Sequence, residues 1–446
     1  MLSKLDVVAA IATAPGRGGI GVIRLSGKDL SSFLLPLFGQ KLIPRHATYV
    51  PFKSAEGVVL DYGIGLYFPG PHSYTGEDVI ELQGHGGTAV LGLILQRCFS
   101  LGARPAEAGE FTQRAFLNNK LDLVQAESVI DLINATTEQG VRSAMRSLQG
   151  DFSQAIHRLL AQLIELRMQI EASLDFPEEE IPAQNLARQE NKLNSIKFEL
   201  DRIFDLAKQG GILREGAHVV LVGRPNVGKS SLLNRLSGEE VALVSEVAGT
   251  TRDAIRQAIN IDGVPFHIID TAGLRESQDV VEKMGMERTK QAIDNADLVL
   301  LLEDAIKKDD SATEKILEQI PGAIPRLHVI NKIDLVGMAA HEETKDEIDY
   351  IYVSAKTEEG INLLKAKLLK MLGWHGESGA FMARARHLES LNKAKVCLAR
   401  TSVNAATMEL LAEDLRLSQV ALSEITGRFT SDDLLGEIFS RFCIGK

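Results

Sequence analysis

The sequence has few cysteines and no long apolar segment. Cys98, Cys397 and Cys443 are the three cysteines among 446 residues, and they show no metal-ligand spacing. They are also too few for a disulfide framework. No apolar run approaches the roughly 18 residues of a membrane-spanning helix, and the N-terminus carries an acid and lacks the cleavage site of a signal peptide. We therefore expect a protein of the reducing cytoplasm that does not act at a membrane.

An excess of basic residues is also absent. The formal net charge is −11, and 45% hydrophobic with 24% charged residues is typical of a globular protein. Most of the excess acid lies in residues 215–375, while a basic stretch between Arg384 and Arg400 is interrupted by Glu389. Such a stretch is more often a solvated helix face than an RNA-binding surface. Charge therefore neither indicates nor excludes a nucleic-acid partner.

A phosphate-binding motif lies near the middle of the chain. The apolar run Val219–Val222 leads into Gly223-Arg-Pro-Asn-Val-Gly-Lys-Ser230, which matches G-x-x-x-x-G-K-[ST]. Its glycines allow backbone N–H groups to converge on phosphate oxygens, and the positive N-terminal end of the following helix favours the same anion. Lys229 would neutralise the β- and γ-phosphates, and Ser230 would bind Mg²⁺. The alternative is a glycine-rich turn before an ordinary helix.

Three further motifs indicate a guanine nucleotide. Asp270-Thr-Ala-Gly273 follows an apolar strand, where Asp270 can hold the Mg²⁺ shell and Gly273 can offer its N–H to the γ-phosphate. Asn331-Lys332-Ile-Asp334 follows another strand, and a carboxylate there can accept from guanine N1–H and the 2-amino group. Adenine offers no such pair of donors and would leave the carboxylate unpaired. Ser354-Ala-Lys356 is predicted to close the base pocket.

Two features distinguish the chain from a generic switch GTPase. Leu274 stands where Ras-like enzymes place a glutamine that orients water, so another group must do this. Gly249-Thr-Thr-Arg-Asp253 occupies the expected first switch, where Thr251 can complete the Mg²⁺ shell. The side-chain carbonyl of Asn226 could help to bind a monovalent cation, which would stabilise transition-state charge.

The pattern of apolar residues predicts several regions. Residues 1–118 have short strand-like runs, with the glycine-rich pieces Pro15–Gly19 and Gln83–Gly87 predicted as turns. Helical periodicity follows from about Leu121, with a stop at Gly210-Gly211, and returns after Gly373. Between them, alternating strands and a helix at 229–237 predict a doubly wound sheet, with a β-hairpin turn at Asp262-Gly263.

These regions give a mixed α/β and α architecture. We expect an N-terminal α+β domain (1–118), a helical domain in two parts (119–214 and 376–446) and an inserted Ras-like GTPase domain (215–375). Two separate helical subdomains are the alternative to a single interrupted one.

The whole chain resembles the tRNA-modification GTPase family MnmE, also called TrmE. The resemblance rests on the phosphate loop and the motifs above, together with flanking motifs that other switch GTPases lack. These flanking motifs are Pro15–Gly21, Tyr74–Asp78, Gln83–Gly87, Gly109–Asn118, Lys120–Glu127, Asp175–Glu180 and Cys443–Lys446. The GTPase motifs that accompany them are Gly223–Ser231, Gly249–Asp253 and Asp270–Arg275.

The resemblance implies a function and a set of ligands. It implies a potassium-activated GTP hydrolase whose N-terminal domain binds 5-formyl-tetrahydrofolate and forms a homodimer. With a partner of the MnmG (GidA) type that uses FAD and NADH, in a heterotetramer or larger complex, it would modify C5 of the tRNA wobble uridine. The product would carry a carboxymethylaminomethyl or aminomethyl group. The chain itself shows no flavin or nicotinamide fingerprint, so FAD is expected from the partner.

The resemblance also assigns residues. The folate contacts would be Arg24, Glu81, Lys120 and Lys446. The potassium ligands would be Asn226, Ser245, Val247 and Thr250. The magnesium ligands would be Ser230 and Thr251. Glu282 would position the attacking water through a second water, acting with Lys229 and Asn226 in catalysis. The predicted GTP contacts are Asn226, Val227, Gly228, Lys229, Ser230, Ser231, Ser245, Glu246, Val247, Ala248, Gly249, Thr250, Thr251, Asp270, Thr271, Ala272, Gly273, Asn331, Lys332, Asp334, Ser354, Ala355 and Lys356.

Some alternatives stay open. Cys443 is either a reactive thiol or a buried cysteine without a chemical role. The whole chain is either a tRNA-modifying enzyme or a GTP-gated switch for RNA binding or ribosome assembly. The switch alternative would normally carry a compact RNA-binding module instead of a folate-like domain. A free-standing folate-dependent enzyme with a regulatory GTPase is a further alternative, but it would need a complete redox or transfer site of its own.

Overall fold

The computed structural model describes most of the chain in two compact units. The described residues are 6–175, 183–224, 226–237, 256–270, 296–306, 324–376, 379–403, 408–427 and 432–445. One unit comprises the described parts of Met1–Ile130, Leu148–Glu190 and Cys397–Lys446, and the other those of Asp131–Ser147 and Asn191–Val396. Four helices contribute residues to both units: Leu123–Asn134, Glu138–Gln149, Ala183–Glu215 and Ala385–Ala399.

The first unit contains a six-stranded sheet in the order β3-β4-β5-β2-β1-β6. Its strands are β1 (Val8–Ile11), β2 (Gly18–Gly27), β3 (Thr48–Lys53), β4 (Val59–Phe68), β5 (Asp78–Gly86) and β6 (Arg104–Pro105). All neighbouring pairs are antiparallel except β1 with β6. The apolar sides of α1 (Ser31–Phe38) and α2 (Thr88–Ser100) share one core with this sheet. The mixed β/α prediction for this region is confirmed, although β3 was not predicted.

The glycine-rich piece at 83–87 is mostly strand, which corrects the predicted turn. β5 runs through Gly84 and Gly86, and Gly86 pairs with Gly18 of β2. A Cβ on Gly86 would lie 2.5 Å from the Gly18 oxygen, and a Cβ on Gly84 would lie 2.5 Å from Asp61 Oδ2. Glycine is needed here because neighbouring groups approach the backbone closely.

Helices follow the sheet and return at the C-terminus. They are α3 (Glu110–Leu117), α4 (Leu123–Asn134), α5 (Glu138–Gln149), α6 (Asp151–Asp175), α7 (Ala183–Glu215), α10 (Ala385–Ala399), α11 (Met408–Thr426) and α12 (Asp432–Ser440). Within the first unit, α6 packs along α11, and Arg167 donates to the Gln419 side chain at 3.1 Å. Leu123 and Ala126 of α4 share a core with Ile438 and Phe439 of α12.

Helix α7 does not end at Gly210-Gly211, so the predicted stop was wrong. The helix continues to Glu215. A Cβ on Gly210 would lie 1.6 Å from the carbonyl oxygen of Phe381, and Phe381 N donates to the Leu206 oxygen at 3.2 Å. The glycine therefore admits the backbone of a neighbouring segment onto the helix, at the roughly 1 kcal/mol cost of glycine inside a helix.

The second unit contains a seven-stranded sheet in the order β12-β13-β11-β10-β7-β9-β8. Its strands are β7 (Ala217–Gly223), β8 (Arg256–Ile261), β9 (Val264–Asp270), β10 (Leu298–Asp304), β11 (Arg326–Asn331), β12 (His341–Lys345) and β13 (Ile348–Tyr352). The five strands from β13 to β9 are parallel. Helices α8 (Lys229–Ser237) and α9 (Ile361–Met371) share the larger core of this unit. The helix predicted near 281–294 lies outside the described residues.

Two hairpins flank the parallel strands. Asp262-Gly263 joins β8 to β9 as predicted, and both residues have positive φ, 49° and 86°. This combination is the type I′ turn. The hairpin β12–β13 was not predicted, because its turn residues Asp346 and Glu347 also have positive φ but carry no glycine signal.

Membrane-spanning helices and metal-binding clusters are absent from the described residues. Within these ranges no helix is both long and apolar enough to cross a bilayer. The same residues contain no group of three or more histidine, cysteine, aspartate or glutamate side chains placed to hold a metal ion.

Candidate guanine-nucleotide site

The phosphate loop joins β7 to α8 at the carboxyl edge of the parallel sheet. β7 is buried between β9 and β10 and ends at Gly223, and α8 begins at Lys229. Gly228 has φ 99°, and a Cβ there would lie 2.4 Å from Asn331 Nδ2. The loop therefore requires glycine at position 228, because a side chain there would lie too close to Asn331. Ligands bind at this edge in open α/β sheets.

The ammonium group of Lys229 is buried beneath the loop. Its Nζ donates to the carbonyl oxygens of Gly223 at 2.8 Å and Arg224 at 3.3 Å, and the residue is only 7% exposed. A buried charge needs such partners. The lysine therefore places a positive charge under the backbone that was predicted to hold phosphates.

Asn331 joins the phosphate loop to the loop predicted to close the base pocket (the base loop, residues 354–360). Its Nδ2 donates to the Val227 oxygen at 2.8 Å, and its Oδ1 accepts from Ala355 N at 3.0 Å. Asn331 is 2% exposed, so neither bond competes with bulk water. One buried amide thus fixes the spacing between two loops that are more than 100 residues apart in sequence.

Lys332 makes a second link to the phosphate loop. Its backbone has φ 68°, and its Nζ lies 2.8 Å from the Asn226 oxygen and 2.7 Å from Asp304 Oδ2. Sequence reasoning missed Asp304. The available signal was its position near the end of the apolar strand β10, which lies beside β7 and β11 in the sheet.

Asp334 and Ser354, each predicted to contact the base, are hydrogen-bonded to each other. Ser354 Oγ donates to Asp334 Oδ1 at 2.7 Å and accepts from Thr357 N at 3.1 Å. The serine therefore orients one carboxylate oxygen of Asp334. Lys356 of the same motif is exposed.

The remaining predicted site residues fall into two groups. Ser230 and Ser231 are exposed in the first turn of α8, and the backbone of Asp270 ends β9. The others lie outside the described residues: Ser245, Glu246, Val247, Ala248, Gly249, Thr250, Thr251, Thr271, Ala272, Gly273, Leu274, Glu282 and Lys446.

A second polar cluster includes the predicted folate residues of the N-terminal sheet. Arg24 and Glu81 are cross-strand partners on β2 and β5, with Arg24 Nη2 2.8 Å from Glu81 Oε1. The Arg24 guanidinium lies 5.6 Å from the Tyr74 ring centroid and 5.8 Å from that of Phe111. Lys120 is exposed, and its Nζ donates at 3.1 Å to the oxygen of Pro71, in the segment that leads to Tyr74.

The C-terminal tail lies against the same sheet. Ile444 bridges to Ala108, and a Cβ on Gly445 would lie 2.4 Å from the Ile11 oxygen at the end of β1. Cys443 is exposed, which excludes the alternative of a buried cysteine. By contrast Cys98 is buried, and burial raises the pKa of its thiol to about 12.

A buried ionic network beside this sheet was not predicted. Glu110 is fully buried and accepts from Arg104 Nη2 at 2.7 Å and Arg114 Nη2 at 2.8 Å. Arg114 also donates to Glu77 at 2.8 Å. Burial opposes ionisation of Glu110, but hydrogen bonds from Arg104, Glu107 N and Arg114 outweigh it and hold the pKa below its ordinary value.

Comparison with known proteins identifies the family. The model described as the GTP-binding protein TrmE N-terminus matches residues 7–120, and that of the MnmE helical domain matches 123–443. A tRNA modification GTPase MnmE from Chromobacterium violaceum is 56% identical over 441 residues, covering 98% of each chain. The chain belongs to the MnmE family.

Other MnmE relatives show the same full-length similarity. The tRNA modification GTPase MnmE of Nitrosomonas europaea is 54% identical over 451 residues, with both chains covered completely. Among solved structures, a variant of Era from Aquifex aeolicus bound to GDP and aluminium fluoride shares 30% identity over 41% of this chain and 67% of its own. Its TM-score is 0.28, so this likeness supports no conclusion. The predicted family is confirmed.

Proposed function

We propose that this chain hydrolyses GTP as one half of a tRNA-modification enzyme. GTP hydrolysis in tRNA modification is the activity named for its MnmE relatives. The observation that carries the proposal is the bonding of Asn331 to Val227 of the phosphate loop and to Ala355 of the base loop. A site that holds both loops in register suits a nucleotide that spans them.

Guanine recognition is assigned to Asp334. Ser354 donates to Oδ1 of that carboxylate at 2.7 Å, and the other oxygen would accept from the base. The phosphates would lie over Gly228 and Lys229, where the absence of a side chain and the buried ammonium both fit an anion. Ser230 and Thr251 would hold Mg²⁺, which neutralises charge on the phosphates when bound.

Potassium activation is assigned to the loop around Asn226. Its backbone has φ 66°, a conformation that asparagine tolerates, and Lys332 fixes its carbonyl oxygen at 2.8 Å. We assign its side chain, with Ser245, Val247 and Thr250, to a potassium ion, and Glu282 to positioning of the attacking water. Leu274 has no group that could do so.

The N-terminal sheet is assigned to 5-formyl-tetrahydrofolate. The ion pair of Arg24 and Glu81 offers donors and acceptors beside the rings of Tyr74 and Phe111. This combination fits the planar, polar pyrimidine ring of a tetrahydropterin, for which Lys120 and Lys446 would be further contacts. Folate supplies a one-carbon unit when bound. Cys443 is exposed on the adjoining tail, where a thiol is accessible for chemistry.

The assembly belongs to the same proposal. We assign the chain to a cytoplasmic homodimer that acts with an MnmG-type partner carrying FAD, on the wobble uridine of certain tRNAs. The four ranges 1–118, 119–214, 215–375 and 376–446 are the domains that we assign to it.

Nucleoside analysis tests this function directly. Transfer RNA from cells that lack the protein, digested and examined by mass spectrometry, should lose carboxymethylaminomethyl and aminomethyl uridine. The wild-type gene should restore both nucleosides, and a Lys229→Ala gene should not. Unchanged nucleosides in the deletion strain, with altered ribosome profiles instead, would favour the RNA-binding switch.

A further inference from the structure

Arg235 lies on α8 and connects the phosphate-loop helix to the base loop. Its Nε donates to the Ala355 oxygen at 3.2 Å, and its Nη1 lies 2.5 Å from Glu358 Oε1. Ala355 is the residue whose N–H bonds to Asn331. The two main-chain polar groups of Ala355 are therefore held from opposite directions, by the asparagine and by the arginine.

The base loop (residues 354–360) has a backbone that needs such support. Glu358 has φ 67°, a left-handed conformation that disfavours a side chain, and Gly360 follows with φ 82°. Ser354 N donates to the Glu359 oxygen at 2.9 Å, which closes the loop on itself. A residue held in this region is strained, and it persists only where its surroundings fix it. The ion pair with Arg235 is one such contact.

We propose that Arg235 is a positioning residue for guanine recognition. By holding Ala355 and Glu358, it fixes the loop whose Ser354 orients Asp334. Because the same side chain stands on the helix that begins with Lys229, it keeps the base loop at a set distance from the phosphate loop. This inference rests on the proposed guanine-nucleotide site, and it concerns a residue outside the recognised motifs.

The test compares nucleotide dissociation from full-length Arg235→Ala and wild-type protein. Release of fluorescent GDP should be about three- to tenfold faster in the variant, as for loss of a hydrogen bond and an ion pair. Affinity for IDP, which lacks the 2-amino group, should fall less, so that discrimination between GDP and IDP declines. A residue that only stabilises the fold would not change that ratio.

Three further variants make the outcome decisive. Arg416→Ala removes an arginine of matching exposure, 45% against 46%, that pairs with Glu413 in the other unit, and it should leave both nucleotides unaffected. Arg235→Lys should restore part of the GDP discrimination, since it keeps the charge. Glu358→Gln should reproduce part of the Arg235→Ala effect and add nothing to it in the double variant.

The results that would contradict the role of Arg235 differ from the result that would contradict the nucleotide site. A GDP release rate and a GDP-to-IDP ratio within twofold of wild type in Arg235→Ala would overturn the role of Arg235. Equal losses of GDP and IDP affinity with a lowered melting temperature would also overturn it, in favour of a purely structural contact. Failure of the wild-type protein to bind GDP would overturn the proposed nucleotide site itself.

Discussion

Polar side chains bind different kinds of partner in the two units. At the edge of the seven-stranded sheet, Asn331, Lys332 and Lys229 bond to main-chain oxygens of the phosphate loop. Beside the six-stranded sheet, Arg24 and Glu110 bond to charged side chains instead. A main-chain oxygen is present whatever the sequence, so a short motif is enough to specify the first kind of site. The second kind depends on which distant side chains the fold brings together.

The largest effect should come from the buried ion network. Glu110→Gln would leave Arg104 and Arg114 without their buried partner, so the free energy of unfolding should fall by roughly 3–5 kcal/mol. Urea titration of the full chain measures this. Glu138→Gln, which removes an exposed pair with Arg142, should change it by less than about 1 kcal/mol.

The loss of unfolding free energy in Glu110→Gln should depend on pH. The pKa of Glu110 is lower in the folded than in the unfolded protein, so its contribution is complete above the unfolded value of about 4.3. The contribution disappears as pH falls through the folded pKa. The difference between wild type and Glu110→Gln should therefore be constant from pH 8 to 6 and shrink below about pH 4. A difference that grows in acid would contradict the assignment.

The next largest effect is expected on the rate of GTP hydrolysis when Glu282 is replaced. Glu282→Ala should bind GTP normally, yet kcat should fall by roughly 10²-fold or more, as for a lost positioning group. Steady-state hydrolysis with a separate binding titration distinguishes the two parameters. A kcat within a few-fold of wild type would mean that another residue orients the water.

The link between the loops should matter for affinity. Asn331→Ala removes two buried bonds and leaves the Val227 oxygen and Ala355 N unpaired, so GDP affinity should fall by about 10- to 100-fold. Calorimetry measures the change, and Asn362→Ala on the exposed side of α9 is the matched control. Equal affinities in the two variants would show that the phosphate and base loops keep their register without the amide.

Potassium dependence should be the smallest of these effects that is still readily measured. GTP turnover should be at least about tenfold faster in potassium than in sodium or lithium at equal ionic strength. Asn226→Gly removes the proposed ligand while accepting φ 66° without strain, so its rates should be similar in all three salts. Equal wild-type rates in the three salts would exclude the cation site.

The difference between the two units also explains what the sequence could predict. The strand–loop–helix around Lys229 and the positions of Asp334 and Ser354 after their strands were predictable, because each motif follows an apolar strand in the sequence. The bond from Arg114 to Glu77 was not predictable, because the two residues are 37 positions apart and Glu77 lies in the loop before β5. The predictions for Gly210 and Gly86 were wrong for a related reason. A glycine that ends a helix and one that admits a neighbouring backbone look alike in sequence.

Nucleotide exchange at Asp334 tests the account most directly. Ser354 donates to Asp334 Oδ1, so in Asp334→Asn the side-chain oxygen should remain beside the serine and the amide NH₂ should face the base. That group repels the 2-amino group of guanine and matches the C2 carbonyl of xanthine. The account predicts that wild type prefers GDP over XDP and that Asp334→Asn reverses this preference in competition binding. Undiminished GDP binding by Asp334→Asn, with no gain for XDP, would contradict it.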